Sequence, residues 1–202
     1  MDISYVSQQI EYARKNRTAV VFKNMFSSVP TWEQAINHLN YEYNNENTNI
    51  YKKYIDDGYF DKEESKQYGE IIKNGVLFYE GKDLFLSFQS RDCKKFYPGI
   101  GLVEDLFKNV LKDSKAKFGQ VFINFVENEN KMPMHIDQRE TIFWLCQGNA
   151  TWISGKDDNF ENYEEFDIES GDILFAPFGL PHTVKSKSPR FAIVMAANYK
   201  DE

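Results

Sequence analysis

The chain has 202 residues, enough for one sizeable domain, and its 17 Phe, 12 Tyr and 3 Trp can fill a core without covalent staples. A formal net charge of −7 argues against a general grip on nucleic acid, whose phosphates call for a basic surface. Cys93 and Cys146 make neither a disulfide framework nor a zinc cluster, the opening MDISYVSQQIEYARKN lacks the apolar core of a signal peptide, and no apolar run approaches a membrane span, so a cytoplasmic protein is expected.

Ile3, Val6, Ile10 and Ala13 recur at helical spacing, which predicts an amphipathic helix near 3–15. TAVVF (18–22) is short and β-branched, as a strand should be. PTWEQAINHLN pairs Thr31 with Gln34 in a capping-box pattern and sets Ala35, Ile36 and Leu39 on one face of a second helix. His38 lies beside that face with no partner ligand nearby in sequence, and reads as structural. Residues 41–73 are rich in Asn, Tyr and charge and read as a surface insertion with one short helix. GVLFYEGKDLFLSF predicts two strands about a Glu-Gly turn, and LVEDLFKNVLKD a helix with Leu102, Leu106, Val110 and Leu111 on its apolar side. From residue 118 the pattern becomes short strands separated by turns such as ESGD and KSP, the signature of a sandwich or barrel. The economical organisation is one domain over 1–202. Residues 1–117 form a helical front with flanking strands, and 118–199 the barrel core. The strands near 18–22 and 76–88 are expected to extend a barrel sheet.

Within the β half, MHID as a strand puts His135 and Asp137 on one face, because side chains alternate with period two. Two imidazoles and one carboxylate on one side of an ion make the facial triad of non-heme Fe(II) enzymes. The third ligand must come from His38 or His182, and His182 follows a Pro/Gly turn that fixes its direction.

Gly171, Pro177, Gly179 and His182 match the second cupin motif, G-x5-P-x-G-x2-H, in full. The first motif is met in part: its paired histidines become His135 and Asp137, Thr141 stands at its glutamate position, and Gly148 matches. With HIDQ, CQGNATW and GDILFAPFGLPH, the chain resembles the JmjC-like branch of cupin-type Fe(II)/2-oxoglutarate oxygenases, a group that includes ribosomal oxygenases and asparaginyl hydroxylases. The resemblance covers residues 118–200 best. It implies a mainly β fold with N-terminal helices, a double-stranded β-helix (jelly roll) whose ligands are His135, Asp137 and His182. It also implies Fe(II), 2-oxoglutarate and O2 as cofactor and cosubstrates, and hydroxylation of a C–H bond on a protein side chain or a small molecule.

Relatives carry a Lys or Arg fifteen residues after the first histidine to hold the distal carboxylate of 2-oxoglutarate; here that residue is Ala150. Arg190, at the head of the last strand, is the replacement candidate, although it also reads as a surface arginine after a Ser-Pro turn. If Arg190 faces inward, so do Ala192, Val194, Ala196 and Asn198. Thr141 and Phe143 fall where relatives line the cosubstrate pocket. Asn124, a polar residue on a core strand, needs a partner there. Arg139, nearer the mouth, is placed to meet an acidic group on the substrate. Each of these also reads as plain barrel lining. Two other readings stay open: a metal cupin with cosubstrate-free chemistry, such as a dioxygenase or isomerase, and a non-catalytic binding cupin.

Overall fold

The computed structural model describes residues 2–43, 50–54, 72–73, 76–77, 84–90, 93–125, 130–131, 134–156, 162–186 and 188–199. The chain opens with α1 (Ile3–Asn16), β1 (Val20–Phe22) and α2 (Trp32–Tyr43). Four strands follow: β2 (Ile50–Tyr54), β3 (Ile72–Lys73), β4 (Val76–Leu77) and β5 (Leu84–Gln89). After α3 (Cys93–Phe96) and α4 (Ile100–Leu111) come eight barrel segments. They are β6 (Lys117–Phe125), the split pair β7 (Asn130–Lys131) and β8 (His135–Ile136), β9 (Glu140–Gln147), β10 (Asn149–Gly155), β11 (Tyr163–Glu169), β12 (Ile173–Ala176), β13 (Pro181–Ser186) and β14 (Arg190–Ala197).

The capping box forms as its spacing predicts: Gln34 N–H donates to Thr31 Oγ1 (3.3 Å) and Thr31 N–H to Gln34 Oε1 (2.9 Å). Two stretches depart from expectation. Leu102 is 71% exposed, because α4 begins at Ile100 and turns Ile100, Val103, Phe107, Val110 and Leu111 inward. The insertion at 41–73 contributes β2 to a sheet edge through pairing with β5, while residues 44–49 and 55–71, where a short helix was expected, lie outside the described residues. The Glu-Gly turn at 80–81 lies outside them too.

All pairing is antiparallel, in a seven-stranded sheet ordered β1-β12-β9-β14-β6-β5-β2 and a five-stranded one ordered β11-β10-β13-β7, with β8 also on β13. Taken from β6 onward, the strands alternate between two four-strand layers, except that β10 and β11 form a hairpin in the smaller one, which is the double-stranded β-helix. β1 and β5 extend the larger layer at opposite edges, but β4 pairs only β3 in a separate ribbon.

The larger sheet is covered on both faces, so its strands read as unbroken apolar runs. Ile142, Trp144 and Cys146 of β9 meet the helices, in a core that includes Val6, Ile10, Leu39, Val103 and Phe107. Phe143 and Leu145 of the same strand point into the barrel, against Trp152, Ile168, Leu174, Ala192 and Val194. His38 is buried under the helices, with Nδ1 at 2.8 Å from Tyr97 Oη and Nε2 at 2.8 Å from Ser90 Oγ, stacked on Phe96. It plays no part in the site below.

Candidate metal centre

Two register facts build the site. β8 pairs β13 with His135 opposite His182, and β10 pairs β13 with Ser154 opposite His182. The imidazole centroids of His135 and His182 lie 4.3 Å apart. Asp137 stands just beyond β8, in the bend that leads to β9, so strand alternation does not itself aim it. Its direction comes from two hydrogen bonds: Gly179 N–H donates to its carbonyl (3.4 Å) and Thr141 Oγ1 donates to its Oδ2 (3.1 Å). The first ties the two ligand-bearing turns together. Gly179 has φ +69°, a backbone region costly for residues with a Cβ.

One donor atom from each of His135, Asp137 and His182 lies within 4.8 Å of the others. Asp137 Oδ2 is 3.8 Å from His182 Nε2, and Oδ1 is 4.0 Å from His135 Nε2. These gaps are too long for hydrogen bonds. Three donors that face one another without satisfying one another suit a shared cation.

His182 is presented in its ligating form. Its Nδ1 donates to Leu180 O (2.9 Å), and a carbonyl can only accept, so Nε2 carries the free lone pair. Burial, reinforced by the neighbouring His135, pushes its pKa down to about 4, which keeps the ring neutral at pH 7. Trp152 stacks on it at 4.4 Å and 11°, held by an indole N–H bond to Ser154 Oγ (2.9 Å). Neither Trp152 nor Ser154 was singled out by sequence, yet alternation along ATWIS puts both on the inner face with Ala150.

Deeper in the barrel the sequence candidates separate. Arg190 is 2% exposed, not a surface arginine, and its Nε and Nη1 have no partner among the described residues. It lies opposite Asn124 across β14 and β6, and both amide atoms of Asn124 are likewise buried and unpartnered. Burial lowers the Arg190 pKa to about 10, so the guanidinium stays charged at neutral pH. Its Cζ is 5.8 Å from the Phe143 ring centroid, and Phe143 meets Trp152 edge-on at 5.7 Å. Ala192 and Val194 follow on the same inner face, but Asn198 does not: in a left-handed turn (φ +44°) it donates instead to Leu111 O and Glu140 Oε2. Ala150 is buried beside Trp152 in an apolar surround. Arg139 remains at the mouth, with Nε 3.8 Å from Asp137 Oδ2 and Nη2 3.4 Å from Gln120 Oε1.

No family model and no curated protein sequence matches the chain. Solved structures do match. An X-ray structure of Escherichia coli YcfD is similar over 98% of this chain and 53% of its own, with a TM-score of 0.68 at 16% identity. The ribosomal oxygenase YcfD in complex with cobalt and 2-oxoglutarate is similar over 96% of this chain and 52% of its own (TM-score 0.63, 16% identity). Its complex with cobalt and succinic acid gives 91% and 49% (TM-score 0.60, 15% identity). The fold is the jelly roll that these structures share. At such identity the likeness is one of fold, and this chain spans about half the length of those proteins.

Two outcomes test how this geometry is held. Thr141→Val keeps the shape but removes the hydroxyl that orients Asp137, and is expected to weaken metal affinity about ten- to hundredfold, as loss of an outer partner usually does. Calorimetric titration with Fe(II) or Co(II) checks it. Gly148, at the β9–β10 turn, has φ +87°, and an added Cβ would lie 2.2 Å from Pro189 O and 3.0 Å from Arg190 Cα. Gly148→Ala is expected to cost at least ~2 kcal/mol in denaturant unfolding and to disturb the Arg190 end of the barrel.

Proposed function

We propose that this protein is a non-heme Fe(II)- and 2-oxoglutarate-dependent oxygenase that hydroxylates a C–H bond of a side chain or small molecule. The observation that carries the reading is a pair of features in one barrel. A His-Asp-His donor set stands at the mouth, and deeper in lies the buried Arg190, whose Nε and Nη1 have no hydrogen-bond partner among the described residues. A protein of the same fold binding cobalt together with 2-oxoglutarate adds support.

His135, Asp137 and His182 would hold the metal, which supplies the activation of O2 and the oxidative decarboxylation of 2-oxoglutarate that side chains alone cannot. This chain's residues bind and orient. Arg190 holds the distal carboxylate of 2-oxoglutarate through two parallel N–H bonds, with Asn124 beside it as a further donor. Ala192 and Val194 are small enough to leave the cosubstrate room. Thr141 and Gly179 keep Asp137 turned toward the histidines, and Trp152 fixes the plane of His182 and excludes water behind it.

The test is succinate release from 2-oxoglutarate by the Fe(II)-loaded protein with ascorbate. Succinate formation that needs all three ligand residues is the expected result. The buried apolar surround of Ala150 favours a second reading, a metal cupin without cosubstrate. Metal binding with no affinity for 2-oxoglutarate would select it.

A further inference from the structure

Arg139, 3.8 Å from Asp137, carries a charge that the proposed reaction does not use. Its surroundings suggest the substrate's chemistry. Among the described residues, two acids on the neighbouring strands, Glu140 and Glu164, are already engaged. Glu140 receives Arg14 through both oxygens (2.6 and 2.8 Å) and Asn198 Nδ2 (2.6 Å). Glu164, two strands from His182 through Ser154, receives Thr18 Oγ1 (2.6 Å) and Lys156 Nζ (2.8 Å). The described carboxylate beside Arg139 is Asp137, 3.8 Å away and one of the three proposed metal ligands. Among the described residues the buried Arg139 Nε–H has no hydrogen-bond partner, and Nη2 lies 3.4 Å from Gln120 Oε1. A second guanidinium borders the same rim, since Arg17 Nη2 donates to Gly179 O at 3.5 Å. Phe178, 37% exposed, supplies an apolar wall in the turn beside it. Two guanidinium groups thus border the described part of the mouth in a protein of net charge −7. Arginine offers a planar fork suited to a carboxylate, and a partly buried charge with an idle N–H favours a ligand that fills it.

We propose that Arg139 anchors the substrate and that the substrate carries a carboxylate next to the C–H bond to be oxidised. The carboxylate belongs either to a small organic acid or to an acidic side chain of a polypeptide. The proposal rests on the oxygenase reading for what happens after binding, but Arg139 can be tested without turnover.

The full chain loaded with Zn(II), which does no redox chemistry, and saturated with 2-oxoglutarate is titrated with matched probes by calorimetry or saturation-transfer NMR. The small pair is hexanoate against hexanamide. The peptide pair is acetyl-Gly-Asp-Gly-amide against acetyl-Gly-Asn-Gly-amide. In at least one pair the carboxylate should bind about tenfold or more tightly than the amide. Arg139→Gln should erase that preference while 2-oxoglutarate affinity changes less than about twofold. Whichever pair shows the preference identifies the source. Equal binding within both pairs, no carboxylate binding at all, or a preference that survives in Arg139→Gln overturns the proposal. If the wild type fails to bind 2-oxoglutarate, the oxygenase reading fails instead. The same probes on the Zn(II) protein alone then still decide the role of Arg139.

Discussion

Asp137→Ala is expected to lower metal affinity by more than about a hundredfold, beyond what loss of an outer partner costs, while the barrel stays folded. Asp137 is the only carboxylate in the donor set, so its removal leaves two imidazoles and no negative charge to face a dication. Its structural ties are few. The side chain accepts one bond from Thr141, and the bond from Gly179 goes to its backbone carbonyl, which alanine keeps. Thermal unfolding of the metal-free variant should therefore match wild type within a few degrees. Metal affinity within tenfold of wild type would remove the centre from this place in the barrel.

The second large effect belongs to Arg190. Holding a guanidinium whose pKa burial has lowered from 12.5 to about 10 disfavours the ligand-free fold by on the order of 3 kcal/mol. The sign follows from proton binding. The folded state holds this proton less firmly than the unfolded chain, so the penalty is full at every pH below about 10 and eases only as pH rises through that value. Arg190→Met fills similar space without charge, and should raise the melting temperature of the ligand-free protein by several degrees at pH 7. The same change should weaken 2-oxoglutarate binding roughly a thousandfold, the 3–5 kcal/mol expected when a buried charge loses its partner. Iron affinity should stay near wild type, since Arg190 stands opposite Asn124 and is not among the donors. Opposite movements of stability and ligand affinity separate a binding arginine from a structural one. If Arg190→Met destabilises the protein and leaves 2-oxoglutarate affinity intact, another cation holds the carboxylate.

The sequence by itself picked out His135, Asp137 and His182 as a candidate ligand set and predicted the barrel that brings them together. Those signals are local: H-x-D before an apolar strand, the glycines and proline that shape the turn before His182, and the switch near residue 118 from helical spacing to short strands separated by turns. It also determined which residues share a face along β9, β10 and β14, because alternation depends on the backbone alone. Only the tertiary structure decided what those faces meet. Asp137 lies past the end of its strand, and its aim depends on Thr141 and on Gly179 from a distant turn. Asn198 leaves the inner face because a left-handed residue ends the alternation. Leu102 is exposed because the start of α4 set the phase of its apolar stripe. Arg190 reads equally well as a surface residue after Ser-Pro or as a buried cation, until the pairing of β14 between β6 and β9 closes both of its edges and leaves its guanidinium inside. Burial, and the charge imbalance it creates, depends on neighbours far apart in the chain, and no local pattern encodes it.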